Sequence, residues 1–511
     1  MTGNLSSDYK KLLKRNKDQI VLGTAEAIVQ WDMETKMPPK AVEMRSQQLA
    51  LLSRIHHKMS TSRETGKLLN VIQASPQYDT LSEIEKRNVY LIKKNYDEQT
   101  RLPEELVAEI AKQQAITVNI WKKAKAAKNF ALLRPELEKL VNLNKRAAQL
   151  LMPIKEAATP YEALIDNFEP KMTTQAITTT FNQLQQGLAK LIEKIQDSPN
   201  QPDTSILHTT VPVEAQRKIS EAITQTLGYD TASPKAGGRI DETEHPFTSG
   251  YYDDVRITTH YYPENYASSI FSVLHEAGHA LYEQGLPQEW KYQPVGTTCS
   301  YGIHESQSRF IENIIGRSQE FWTYFLPKLK RIAGKDFSDL KLNPFVHAIN
   351  RVKPSKIRVE ADEVTYCLHV IIRFNLERDL FTGRINVKEL PDLWNQNYME
   401  TLGVKIENDS EGVMQDTHWA IGLMGYFPCY ALGNVYSGQI LEAMQKANPN
   451  WRANLAKGVF TEVENWLVKN VHSYGDLYDA PELIRKISGK DLNVKPYLNY
   501  LNQKYADLYG F

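Results

Sequence analysis

The stretch Pro263–Pro287, PENYASSIFSVLHEAGHALYEQGLP, reads as one helix with both ends marked. Pro263 suits a first turn, where a missing N–H costs nothing, and Gly285 followed by Pro287 suits a stop. On a 3.6-residue wheel Ile270, Val273, Leu274, Ala277 and Leu281 form an apolar face. Ser268, Ser272, His275, Glu276, His279 and Glu283 gather on the other side. His275 and His279 are four residues apart, so their imidazoles lie one above the other and can grip a single ion. Glu276 flanks them, within reach of a water on that ion. Two ligands and a general base on one helix face make the H-E-x-x-H arrangement of a hydrolytic zinc site.

The chain has 511 residues, enough for two or three domains or for one large body. With 41% hydrophobic and 24% charged residues and a mean hydropathy of -0.47, it holds ample material for a core. Lys plus Arg and Asp plus Glu both number 61, so no net field favours nucleic acid, an anionic membrane or acidic partners. Cys299, Cys367 and Cys429 are too few and too scattered for a disulfide framework, and no Cys-x-x-Cys pair points to a zinc ribbon. The N-terminal MTGNLSSDYKKLLKRNKDQ carries charges where a signal peptide needs an apolar core, and no run approaches the length that spans a bilayer. A reduced, cytoplasmic protein is the expectation.

Residues 6–31, 39–74, 80–98, 103–127 and 133–157 carry apolar residues three and four apart and predict helices joined by short breaks, hence antiparallel neighbours. Further helices are expected at 174–196 and 212–228. Ser233–Gly250 is rich in Gly, Pro and Asp, and leads into YYDDVRITTHYY. There Asp254, Arg256, Thr258 and His260 alternate with Val255, Ile257, Thr259 and Tyr261, the period of a half-buried strand. Beyond the histidine helix, helices are expected over 301–319, 320–333, 343–352, about 357–382 and 389–402, followed by the segment 411–446 and more helix to the end. The expected fold is mainly α, one continuous body (1–511) with two lobes about a cleft and a small sheet beside the histidine helix.

A catalytic zinc needs a third protein ligand and an open position. The extended H-E-x-x-H-x-x-G-x-x-H pattern is excluded, because Tyr282 and Gly285 stand at its Gly and His places. Of the carboxylates that follow, Glu283 lies on the same helix and Glu289 sits just after the Pro287 turn. Glu305 opens a new helix, HESQSRFIENIIGRS, after enough chain to turn and lay it against the first, and is the choice; Glu312, two turns on, is read as standing behind a ligand or as a salt-bridge partner. A zinc held by two His and one Glu lowers the pKa of its water from ~15.7 toward ~7. Glu276 takes the proton and delivers it to the leaving nitrogen, so the expected reaction is amide hydrolysis.

Five separated segments resemble the carboxypeptidase Taq family of zinc metallocarboxypeptidases: Asp254–Thr258 (DVRIT), His275–His279 (HEAGH), His304–Gln307 (HESQ), Ile357–Asp362 (IRVEAD) and Gly412–Trp419 (GVMQDTHW). WDMETKMPPKAVEMRSQQ also looks like that family's opening. The resemblance implies removal of C-terminal residues from peptides with broad specificity. It implies a helical body with a deep groove, similar to neurolysin and angiotensin-converting enzymes, and a homodimer. It supports Glu305 as third ligand.

A carboxypeptidase must hold a free α-carboxylate, which the Arg fork does best. The resemblance favours Arg358, on a helix face with Asp362, Thr365 and His369; Arg256, between Asp254 and Thr258, is a second candidate. On the residues alone, each reads as an ordinary ion pair. In GVMQDTHW, Gln415, His418 and Trp419 share a face if the segment is helical, and His418 can donate to a developing oxyanion, as the resemblance also implies. Tyr426 and Tyr430 resemble the tyrosine-rich stretch of related helical zinc peptidases and are further donor candidates. His304 and His260 are expected beside the ligands. Cobalt or manganese suits the same donors as zinc. A metal-dependent endopeptidase or dipeptidyl-peptidase, and a non-catalytic peptide-binding scaffold, are the alternatives.

Overall fold

The computed structural model describes residues 5–511; the first four residues of the N-terminal stretch read above lie outside them. Among the described residues are twenty α-helices and one three-stranded sheet, and no helix is long and apolar enough to cross a membrane. The N-terminal part is helical where its periodicity places helices: Leu5–Thr35, Val42–Ser60, Arg63–Gln73, Glu83–Arg101, Glu104–Ala126 and Phe130–Lys155. The expected run over 39–74 is two helices, because Ser62 turns extended and becomes the N-cap of the second. A capping box of Ser82 and Glu85 opens Glu83–Arg101. Leu5, Tyr9 and Leu12 pack with Leu69, Ile72, Val89 and Ile92 in a cluster of their own, apart from the main core that runs from Ala124 to Tyr509.

The sheet has strands β1 (Gly238–Glu242), β2 (Thr248–Tyr251) and β3 (Asp254–Thr259) in the order β1-β3-β2. β3 pairs in parallel with β1 (Gly238↔Val255) and antiparallel with β2 (Thr248↔Ile257). Only β3 shows the strand period in its sequence. The other two are short and polar, and stand because β3 supplies their hydrogen-bond partners. Val255 and Ile257 enter the main core, and on their side Thr259 Oγ1 meets Ser272 Oγ at 3.2 Å. Asp254 and Arg256 therefore face away from the histidine helix.

That helix runs from Tyr266 to Gln284 and packs on β2, β3, Val213–Leu227 and Tyr301–Arg309. Gly278, between the two histidines, permits the last contact: a Cβ there would sit 2.6 Å from the Gln307 carbonyl oxygen. Gly433 does the same on the other side of Tyr301–Arg309, where a Cβ would meet the Glu305 Cβ at 2.7 Å. Three helices thus stack with almost no side chain between them. Tyr301–Arg309 continues into a π-helical turn, Phe310–Ile315, a form often found at functional sites.

Two expectations are corrected. The helix expected over 357–382 is Tyr366–Phe381, and Arg358–Glu360 form a separate 3-10 turn. Asp362 accepts from the backbone N–H groups of Val364, Thr365 and Lys353, a local bonding mode that competes with helix. Arg358 and Asp362 are therefore not on one helical face with His369. Residues 412–419 are turns, and the next helix begins at Phe427, after Gly422 and Gly425 adopt positive φ of 71° and 84°.

Candidate metal centre

Two facing helices bring three donors together. His275 Nε2 lies 3.7 Å and His279 Nε2 3.6 Å from Glu305 Oε2. All three donor atoms lie within 4.8 Å of one another, and among the described residues this is the one such His, Cys and carboxylate group. Donors bound at zinc distances on a tetrahedron stand about 3.3–3.6 Å apart, so the set fits an ion at its centre. Burial opposes charge on His275, yet Glu305 and Glu312 raise its pKa, whereas burial and the neighbouring His304, His275 and Arg309 hold His279 well below the usual range.

Each donor is held from behind. Glu312 Oε2 is 2.8 Å from His275 Nδ1. Burial alone would raise the Glu312 carboxyl, but Arg309, His275 and Arg317 hold it well below the usual range. Arg309 donates to Glu305 Oε1 at 2.7 Å and lies over the Tyr366 ring. His279 meets His304 ring to ring, and His304 Nε2 is 2.9 Å from Glu283 Oε1. Glu283 is thus no ligand but a partner of His304, while Glu289 is exposed. His260 is not beside the ligands; its Nδ1 pairs with the Thr243 carbonyl.

Glu276 is buried, and its Oε2 accepts from the Thr248 hydroxyl at 2.6 Å. Burial pushes its carboxyl up, against His275 and Thr248, which pull it down. Thr248 went unread in the sequence because β2 has no strand signature.

A second assembly lies around Asp416. Burial would raise its carboxyl, but Arg373 and Arg358 hold it well below the ordinary range. Arg358 gives Nε and Nη2 to Asp416 at 3.1 and 2.9 Å and Nη1 to the Tyr366 hydroxyl at 3.0 Å. Its guanidinium lies over the Tyr430 ring at 4.9 Å. The Gln415 side chain accepts from the Arg358 backbone N–H and from Arg373, and donates to the Lys356 and Glu411 carbonyls, so all its bonding capacity is taken within the fold.

His418 Nε2 is 3.2 Å from the Tyr430 hydroxyl, and its Nδ1 is buried with no partner. Burial lowers the imidazole to about 4 despite Asp416 nearby, so it is neutral at pH 7. Tyr426 stands edge-on to Tyr430. Glu377, on Tyr366–Phe381, accepts from Trp419 Nε1, the Gly425 N–H and the Tyr161 hydroxyl, pinning the turn that carries His418. No local pattern marked Glu377, which is one of several polar residues on Tyr366–Phe381. Arg256 is paired with exposed Asp254 at 2.7 and 2.8 Å and lies over Trp31 of Leu5–Thr35, which Arg239 covers as well.

The family model described as Carboxypeptidase Taq (M32) metallopeptidase matches residues 11–505. Carboxypeptidase 1 of Bacillus subtilis (strain 168) is 39% identical over 486 residues, 95% of either chain. Thermostable carboxypeptidase 1 of Thermus thermophilus is 38% identical over 510 residues, 98% of this chain and 99% of that one. The crystal structure of an M32 carboxypeptidase from Deinococcus radiodurans R1 superposes with a TM-score of 0.94 at 34% identity, covering 99% of this chain and 100% of that one.

Proposed function

The chain belongs to the carboxypeptidase Taq metallopeptidase family, and from that premise we propose how its own residues carry out the reaction. It is a metallocarboxypeptidase, which removes residues from the C-terminal end of peptides. His275, His279 and Glu305 would hold a zinc ion, a reading carried by the convergence of their three donor atoms. Bound there, it would supply Lewis-acid polarisation of the scissile carbonyl and a water with a pKa of about 7. Glu276, with Oε2 engaged by Thr248, has Oε1 free to take a proton from the attacking water and return it to the leaving nitrogen.

His418 Nε2 pairs with the Tyr430 hydroxyl; in the tautomer in which that hydroxyl donates, the otherwise unpartnered Nδ1 carries the proton and is a donor for the carbonyl oxygen. Arg358 takes the substrate's α-carboxylate with the two of its five N–H groups that Asp416 and Tyr366 do not use. Tyr426 lines the approach beside Tyr430. Asp254 and Arg256 hold Trp31 against β3, and Gln415 ties Arg358 to Arg373; both act on the substrate through the fold rather than by contact. The whole chain works as one catalytic body, as a homodimer in the cytoplasm, with broad specificity.

Two measurements test this together. Bound zinc should reach one per chain in wild type and in Glu276→Gln, while Glu276→Gln loses at least the ~10²–10⁴ in kcat ascribed to general-base catalysis. A peptide with a free C-terminus should be trimmed and its amidated twin spared. Equal cleavage of both peptides, or equal kcat for both proteins, would sink the reading.

A further inference from the structure

Tyr366 opens the helix Tyr366–Phe381, and the turn before it fixes its place. Its N–H donates to the Asp362 carbonyl at 2.9 Å, and the Asp362 carboxylate takes the Thr365 N–H and hydroxyl at 2.9 and 2.8 Å. The residue is only 5% exposed, and it stands between two guanidiniums. Arg309, which donates to Glu305, lies 4.1 Å over the ring, and Arg358 Nη1 donates to the hydroxyl oxygen at 3.0 Å.

A guanidinium carries five N–H groups and no acceptor, so the phenol oxygen accepts from Arg358 and its own proton must go elsewhere. Among the described residues no acceptor takes it. Burial raises the phenol pKa against the pull of Arg309 and Arg358, so the proton is present at neutral pH. Arg358 gives its Nε proton and one Nη2 proton to Asp416, and one Nη1 proton to Tyr366. One proton is left on each terminal nitrogen. A carboxylate held across those two has one oxygen against Nη1, and so beside the phenol.

We propose that Tyr366 is a third donor to the substrate's α-carboxylate, its O–H meeting the oxygen that Arg358 Nη1 also holds; this rests on reading Arg358 as the carboxylate anchor. A carboxylate oxygen has lone pairs for both donors. The ring is fixed against Arg309, so the donor is set in place before substrate arrives and little ordering cost is left for binding. The contact favours a free C-terminus over a blocked one, because a hydrogen bond to a charged oxygen is stronger than one to a neutral amide.

The test uses zinc-loaded, full-length Glu276→Gln protein, in which peptide binds uncleaved, with a peptide bearing a free C-terminus and its amidated twin. Adding Tyr366→Phe keeps the ring under Arg309 and removes only the hydroxyl. The Kd of the free peptide, read by calorimetry, should weaken roughly tenfold to a hundredfold, the range for a hydrogen bond to a charged group. The Kd of the amidated twin and the bound zinc should stay unchanged, which loss of packing would not allow. Adding Y366F to Arg358→Ala should weaken the free peptide further, since the hydroxyl donates on its own account. An unchanged Kd in Y366F, an equal loss for both peptides, or no further loss beside R358A overturns the proposal. R358A alone separates the premise: if it binds the free peptide as tightly as E276Q does, Arg358 is no anchor and that reading fails instead.

Discussion

The Oγ1 of Thr248, on the edge strand β2, lies 2.6 Å from Oε2 of Glu276, on the helix that strand packs against. One oxygen of the carboxylate is thereby occupied and the other left for proton transfer. A hydrogen bond to a charged group contributes about 1.5–3 kcal/mol. Thr248→Val, which keeps the shape and loses the hydroxyl, should lower kcat roughly tenfold to a hundredfold. KM and zinc content should stay unchanged, and Thr248→Ser should retain most of the rate. A fall in zinc content, or a serine variant as slow as the valine one, would assign Thr248 to packing instead.

Arg358 combines charge with a planar fork, and lysine keeps only the first. Arg358→Ala should cost about 2–5 kcal/mol of substrate binding, read as a large drop in kcat/KM carried mainly by KM. Arg358→Lys should fall between the alanine variant and wild type, with zinc retained in both. Initial rates on a peptide series with free C-termini check this, and an unchanged kcat/KM removes Arg358 from the carboxylate role.

Gly278 is required by the backbone of a neighbouring helix rather than by its own conformation. In Gly278→Ala the new Cβ would meet the Gln307 carbonyl oxygen and the Ser308 Cα at 2.6 and 2.7 Å, so the helices must part. Overpacking of this kind costs about 1–3 kcal/mol. Both the Tm and the zinc affinity should drop, since the donors sit on either side of that contact. A Tm within error of wild type would show that the crossing relaxes freely.

Glu377 gives a pH dependence with a definite sign. Burial raises its carboxyl from an ordinary 4.5 to about 7, in spite of the donors from Tyr161, Gly425 and Trp419. The folded protein thus binds this proton more tightly than the unfolded chain. Its contribution is complete below about pH 4.5 and is lost as pH rises through about 7, a change of about 3 kcal/mol. Glu377→Gln cannot titrate, so its Tm should change less between pH 5 and pH 8 than that of wild type. Parallel Tm curves for the two proteins would contradict the assignment.

The central helix, its stop at Gly285, its polar face with His275, Glu276 and His279, and the helical texture of the N-terminal part were legible in the sequence; its start was not, because the helix opens at Tyr266 and Pro263 lies in the turn before it. Each is a local pattern: a period, a cap, or a breaker within one or two turns. Glu305 was reachable too, since a third donor had to come from a carboxylate on a later helix and the chain between has the length to return.

The tertiary structure alone decided the pairing of β1 with β3, the place of Arg358 in a turn, the hold of Glu377 on the His418 segment, and the use of Glu283 behind His304 rather than at the metal. Thr248 belongs with these, as it reaches Glu276 only once β2 is paired. Such contacts join residues far apart in the chain, and side-chain type and spacing do not encode which buried donor meets which acceptor. That choice is made when helices cross closely at Gly278 and Gly433, and every enclosed polar group must then find its partner among those the crossing brings near.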